Sequence, residues 1–253
     1  IMMSTCENGT WSQPKAVSEK LNTVQNLNLV DTARGTAVVY TTDSDCDLTT
    51  LNDKTLYCYY SKTGTTVEID SNLETTVDVA EIVNSPVAIW KKDGVLKQCN
   101  LNTEVIKEIC NANLDTASDF KLVSDGNGSY AIVYVEDKTN VRAMYLDAET
   151  LIWSVPVTVA TSKHNTENAE AAISNLEAEY VNGNLTLVYH DTKVVKAGEE
   201  YAETSNMVTT VVSSTAKPVI NNVVVDYNNI VPGKTTTAKV TVENTGAMAT
   251  GNL

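Results

Sequence analysis

The sequence predicts an all-β protein assembled from a repeated antiparallel sheet. Three observations carry this. A short apolar run ending in an aromatic ring occurs four times, at 37–40, 87–90, 131–134 and 186–189. Its rings, Tyr40, Trp90, Tyr134 and Tyr189, stand 50, 44 and 55 residues apart. With the 142 residues between Trp11 and Trp153, three periods of about 47, these spacings mark an array of one supersecondary unit. No stretch shows a convincing 3.6-residue apolar period, whereas Val, Ile, Thr and Tyr cluster in short runs bounded by Gly, Asn and Asp.

Taken in order, residues 10–17 form an isolated first strand, Thr10-Trp11-Ser12-Gln13-Pro14-Lys15-Ala16-Val17. Its proline confines it to a sheet edge, because proline cannot donate to a ladder. The same Trp-Ser-x-Pro-x-x-Val pattern returns at 153–159. The first repeat then divides into strands at 25–31, 36–43, 55–61 and 65–70, and the second at 77–83, 86–92, 95–100 and 104–110. The third takes 119–124, 130–136, 141–147 and 151–159; the fourth takes 172–181, 185–192 and 206–213 and lacks an outer strand. The second strand of each repeat is apolar at consecutive positions, which predicts burial on both faces. Turn signals separate the strands at Arg34-Gly35, Asp93-Gly94, Asp125-Gly126-Asn127-Gly128 and Asn182-Gly183. Residues 165–172, rich in Glu and Ala, allow one helical turn at most.

Four antiparallel strands, with a doubly buried second strand and a proline-bearing outer one, describe the blade of a β-propeller. The Trp-Ser-x-Pro-x-x-Val strand resembles the outer strand of bacterial secreted propellers, including sialidase-like ones. The Gly-His…Trp-Asp signature of WD40 blades is absent, and Ser124-Asp125-Gly126-Asn127-Gly128 has the wrong order for the sialidase box. The two ends of the array either complete one another in a small ring or belong to a larger ring, and the larger ring is the expectation. Residues 1–216 are thus assigned to blades and 217–253 to the start of a second domain. There, strands around 219–227 and 235–246 flank Pro232-Gly233, and the second ends in Val-Glu-Asn-Thr-Gly at 242–246. This segment resembles the first third of a bacterial immunoglobulin-like module of the cell-adhesion-related type. The resemblance implies an extracellular or cell-surface setting.

Charge excludes some partners. Eighteen basic against 32 acidic residues give a net charge of −14, the wrong sign for tracking nucleic-acid phosphates or anionic lipid. No apolar run approaches the roughly 20 residues that span a bilayer. The opening residues lack the pattern of a signal peptide. Five cysteines, at 6, 46, 58, 99 and 110, show no Cys-x-x-Cys spacing. Cys46–Cys58 and Cys99–Cys110 are conceivable bridges; buried free thiols are the competing reading.

Two stretches are candidates for binding. Asp43, Asp45 and Asp47 place three carboxylates at alternate positions, a pattern that converges on a hard cation such as calcium. The loop lacks the following glycine, and Lys54 stands where a closing glutamate would lie, so a solvated acidic turn competes. Tyr57, Tyr59 and Tyr60 form the densest aromatic group. Alternation puts Tyr57 and Tyr59 on one face, suited to stacking on a sugar or to packing between sheets. His190 beside Asp191 reads as an ordinary strand residue, since neighbours point to opposite faces, and His164 as a surface residue. Asp43, Asp93, Asp137 and Asp191 each follow a repeat ring, which reads as turn chemistry. The expectation is a non-catalytic surface module that binds a glycan or protein ligand alongside other domains of its polypeptide. The alternative is part of a glycan-active hydrolase or lyase on a propeller scaffold.

Overall fold

A computed structural model describes residues 1–21, 23–43, 53–110, 114–147, 149–164, 170–197, 200–213, 218–225 and 238–244. Every regular element among them is a strand. Strands β1 to β4 are two-residue pieces at Met2–Met3, Cys6–Glu7, Thr10–Trp11 and Lys15–Ala16. The first sheet is β5 (Val24–Thr32), β6 (Gly35–Asp43), β7 (Lys54–Tyr60) and β8 (Thr65–Leu73), paired antiparallel in that order. The second is β9 (Thr75–Ile82), β10 (Ser85–Lys92), β11 (Val95–Asn100) and β12 (Val105–Cys110), in the same order. These are β-propeller blades: four strands, each hydrogen-bonded to its sequence neighbour.

Then follow β13 (Ser118–Ser124), β14 (Tyr130–Glu136), β15 (Asn140–Asp147), β16 (Ile152–Trp153) and β17 (Val157–Thr161). β14 pairs with β15, and β17 pairs with β15. The last sheet contains β18 (Glu170–Val181), β19 (Asn184–Ala197) and β20 (Glu200–Ser213). Finally β21 (Pro218–Val225) and β22 (Ala238–Asn244) form a two-stranded sheet.

The chain divides into two compact units. One comprises Ile1–Leu122 with Asp147–Val155, the other Val123–Leu146 with Pro156–Leu253. In the first unit, the two four-stranded sheets pack face to face. Ala37, Val39, Leu56, Cys58 and Tyr60 of the first sheet meet Val79, Ala88, Trp90 and Cys99 of the second in one buried cluster. The larger of these side chains, such as Leu56 and Val39, each contribute about 1.5–3 kcal/mol on leaving water. Polar pins lie across this interface: Trp90 Nε1 donates to Asp70 Oδ2 at 3.0 Å and Lys92 Nζ to Asp70 Oδ1 at 2.7 Å. Arg34, in the β5–β6 turn, lies 3.6 Å above the Tyr60 ring and pairs with Glu104 at 2.7 Å. In the second unit, Ala131, Val133, Ala143 and Tyr145 pack with Ile173, Leu176, Leu187 and Tyr189.

Consecutive apolar positions do mark the doubly buried strands β6, β10 and β14. β19 departs from that expectation. Leu185, Leu187 and Tyr189 are buried, while Thr186 and Val188 are half-buried and His190 is exposed. Only one face of its sheet contributes to the cluster, so only alternate residues leave water. The expected strand over 10–17 is also corrected. It is split around Pro14, with β3 pairing with β2 and β4 with β1. The strand expected over 151–159 divides the same way at Pro156, since a residue with no N–H cannot continue the ladder. Residues 170–172 are strand, not helix.

Candidate functional site

The β6–β7 hairpin sets Tyr40 directly opposite Tyr57 and Val38 opposite Tyr59. Cross-strand partners share a face, so three tyrosines cluster on the side of the first sheet that faces away from the second. Tyr40 and Tyr57 stack with centroids 5.6 Å apart and planes 25° apart. Val17, with Ile1, Met3 and Leu21, packs over Val38, Tyr40 and Tyr59. Thr66 Oγ1 donates to the Val17 carbonyl at 3.2 Å, and the Val17 amide to the Ile1 carbonyl at 3.1 Å.

This cover is a strap of short strands, narrower than the sheet beneath it. Between them lies a half-open cavity of about 590 Å³, walled by Tyr40, Tyr57 and Tyr59 and edged by Lys15, Glu19 and Thr66. Tyr40 and Tyr59 are buried, and Tyr57 is half-buried. Burial, then the neighbouring Tyr57, raises the Tyr40 phenol above its usual pKa. Burial also raises Tyr57, reinforced by the Glu68 carboxylate that it hydrogen-bonds. Both hydroxyls are therefore neutral at pH 7; Tyr57 donates its proton to Glu68, and both oxygens keep lone pairs to accept.

The repeat explains why the cavity sits here. Trp90 and Tyr189 hold the same repeat position as Tyr40, and each is packed into a cluster shared with the sheet before its own. Tyr40 meets the strap instead. Tyr57 and Tyr59 share a face, as alternation predicts. The sequence marks Tyr40 as a repeat ring but not as a binding residue, and does not mark Lys15; the signal available was the hairpin register, once β6 and β7 are paired.

The acidic stretch is different. Asp43 ends β6, is buried and stands opposite Lys54 in register. Asp45 and Asp47 lie outside the described residues. Among the described residues no group of three His, Cys, Asp or Glu side chains could hold a metal, and one buried aspartate does not define a calcium site. Asp93 and Asp137 adopt left-handed turn conformations, φ 52° and 51°, which suits the turn reading. Asp191 is buried and structural: it accepts from Ser162 Oγ at 2.6 Å and the Lys163 amide at 3.0 Å. His190 is exposed beside Asn175, and His164 reaches Asn206, each at 3.4 Å. Cys58 and Cys99 are free and buried; Cys46, the suggested partner of Cys58, lies outside the described residues.

No family model matches the chain, and a search of curated proteins finds no match. Solved structures with partial likeness include an ulvan lyase bound to a sulfated oligosaccharide, at 11% identity and TM-score 0.43, over 66% of this chain and 44% of that one. An auxiliary nutrient-binding protein from Bacteroides ovatus aligns at 14% identity and TM-score 0.44, over 77% and 49%. The α-L-arabinanase of Penicillium chrysogenum complexed with arabinobiose aligns at 10% and 0.43, over 83% and 76%. The chain thus spans about half the length of the first two. None of these values transfers a function or a site residue to it.

Proposed function

We infer that this chain is a non-catalytic binding module of an extracellular or cell-surface protein, and that the tyrosine cavity of the first sheet holds a carbohydrate. The cavity carries this reading. Its volume falls within the range of small-molecule sites, and it combines aromatic walls with a few polar edge groups. Tyr57 offers a ring face for an apolar sugar face, and the Lys15 ammonium, Glu19 carboxylate and Thr66 hydroxyl offer hydrogen bonds to sugar hydroxyls. The surplus of carboxylates keeps such a module soluble outside the cell. Among the described residues no helix is long and apolar enough to cross a membrane.

The test is affinity electrophoresis against a panel of soluble polysaccharides, with Tyr57→Ala compared in parallel. The expected result is retardation by at least one polysaccharide, reduced in Tyr57→Ala, with no reducing ends released. Retardation unaffected by Tyr57→Ala, or turnover of the polysaccharide, refutes the reading.

A second reading has its own observation. Tyr40 occupies the repeat position at which Trp90 and Tyr189 meet another sheet, so the same face suits a protein ligand that presents an antiparallel sheet. Protection of the Tyr59 and Thr66 amides by a protein partner, with no polysaccharide retained, would favour it.

A further inference from the structure

The residue after each repeat ring is Thr41, Lys91, Val135 or His190. The second repeat alone places a lysine there, on a doubly buried strand. Lys91 is 4% exposed, and its Nζ pairs with Glu74 Oε2 at 2.7 Å. The same Nζ reaches the carbonyls of Asp115 and Ala117 at 3.4 Å, and Glu74 Oε1 accepts from the Gly94 amide at 2.8 Å. Both charges are fixed in direction. Lys91 is enclosed, whereas the Glu74 side chain keeps 20% of its surface; an ion pair with a buried ammonium is a weak source of stability, because burial costs that charge its hydration. A departure from the repeat at such a cost marks a place where function competes with stability.

The pair opens on a separate cavity of about 460 Å³ in the first unit, also lined by Thr75, Asp115, Asp119 and Phe120. Phe120 is the only phenylalanine of the chain and is half-buried. Asp119 is exposed and held at φ 52°. Glu74, Asp115 and Asp119 outnumber Lys91 and Lys121 around the cavity. Such a lining accepts hydrogen bonds from hydroxyls and repels anions, while a phenyl wall favours the apolar face of a ring.

We propose that this cavity is a second carbohydrate subsite, selective for neutral, hydroxyl-rich sugars over uronates and sulfated sugars. Glu74 and Asp119 accept sugar hydroxyls, Lys91 holds Glu74 in place, and Phe120 stacks. This rests on the carbohydrate reading above and adds to it a second position and a ligand class. Two subsites on one unit favour a polymer over its monosaccharide, because the second contact is made at high effective concentration.

The test is affinity electrophoresis and calorimetry of the full chain with arabinan, a β-glucan, polygalacturonate and a sulfated galactan. Phe120→Ala, Asp119→Asn and Tyr57→Ala are compared, each checked for wild-type circular dichroism. The expected result is retention by a neutral polymer alone, with affinity weakened about tenfold by Phe120→Ala, the scale of one lost aromatic stack. Asp119→Asn, an exposed change that spares the core and keeps an acceptor oxygen, weakens it about threefold, the scale of the difference between a charge-assisted and a neutral hydrogen bond. If Tyr57→Ala weakens binding while Phe120→Ala and Asp119→Asn leave it unchanged, the second subsite is overturned and the tyrosine cavity stands. If the reverse pattern appears, the second subsite stands and the tyrosine cavity falls. Equal retention by polygalacturonate or the sulfated galactan overturns the selectivity, and retention by none of the four overturns both sites.

Discussion

Asp191 offers a direct test of whether the acids that follow the repeat rings are structural. Its buried carboxylate holds the 162–164 segment against β19 through Ser162 Oγ at 2.6 Å and the Lys163 amide at 3.0 Å. The His164 amide in turn donates to Ser162 Oγ at 3.1 Å. Asp191→Ala leaves a buried hydroxyl and an amide without their acceptor. Each hydrogen bond to a charged group is worth about 1.5–3 kcal/mol, so the two together predict a loss of about 3–6 kcal/mol. Asp191→Asn keeps an oxygen for Lys163 and an amide nitrogen for Ser162 but surrenders the charge, which predicts about 1.5–3 kcal/mol. Amide hydrogen exchange reads this locally. A loss of about 3 kcal/mol accelerates exchange at Lys163 and His164 by roughly two orders of magnitude if their exchange requires opening of this segment. Urea unfolding followed by far-ultraviolet circular dichroism gives the matching drop in midpoint for the second unit. Unchanged exchange at both amides, together with an unchanged midpoint, would refute the structural reading and return Asp191 to the candidates for chemistry.

Two further outcomes follow from the first unit. Burial pushes the Cys58 thiol up to about 11, and burial followed by the neighbouring Cys58 pushes Cys99 up to about 12. Their folded values lie above the unfolded value near 9, so this stability is fully present below about pH 9 and lost as pH rises through 11 to 12. Cys58→Ala should flatten the fall in melting temperature over that interval, and an aromatic disulfide reagent at pH 8 should label exposed Cys6 while sparing Cys58 and Cys99 until unfolding. Gly35 has φ +87°, and an added Cβ would stand 2.6 Å from Ser61 Oγ and 3.1 Å from the Lys62 amide nitrogen. Gly35→Ala should cost about 2–3 kcal/mol in urea unfolding, and a cost near zero would show that the β5–β6 turn relaxes freely.

The sequence alone determined the period and the strands. Consecutive apolar residues at 37–40, 87–90 and 131–134 require burial on both faces, because alternate residues point to opposite sides of a sheet. That logic also put Tyr57 and Tyr59 together, since strand alternation is local. Tertiary structure decided what each face meets. Trp11 and Trp153 sit in the same Trp-Ser-x-Pro-x-x-Val pattern, yet Trp11 is 69% exposed and Trp153 is 7% exposed, with Nε1 donating to Gln98 at 3.2 Å. Val188 reads like Val39 but is half-buried, where Val39 is wholly enclosed. The pairing of Tyr40 with Tyr57, the strap that leaves a cavity over them and the meeting of Lys91 with Glu74 all depend on register or on contacts between distant segments. Burial belongs to a pair of surfaces, and a strand's own residues specify only one of them.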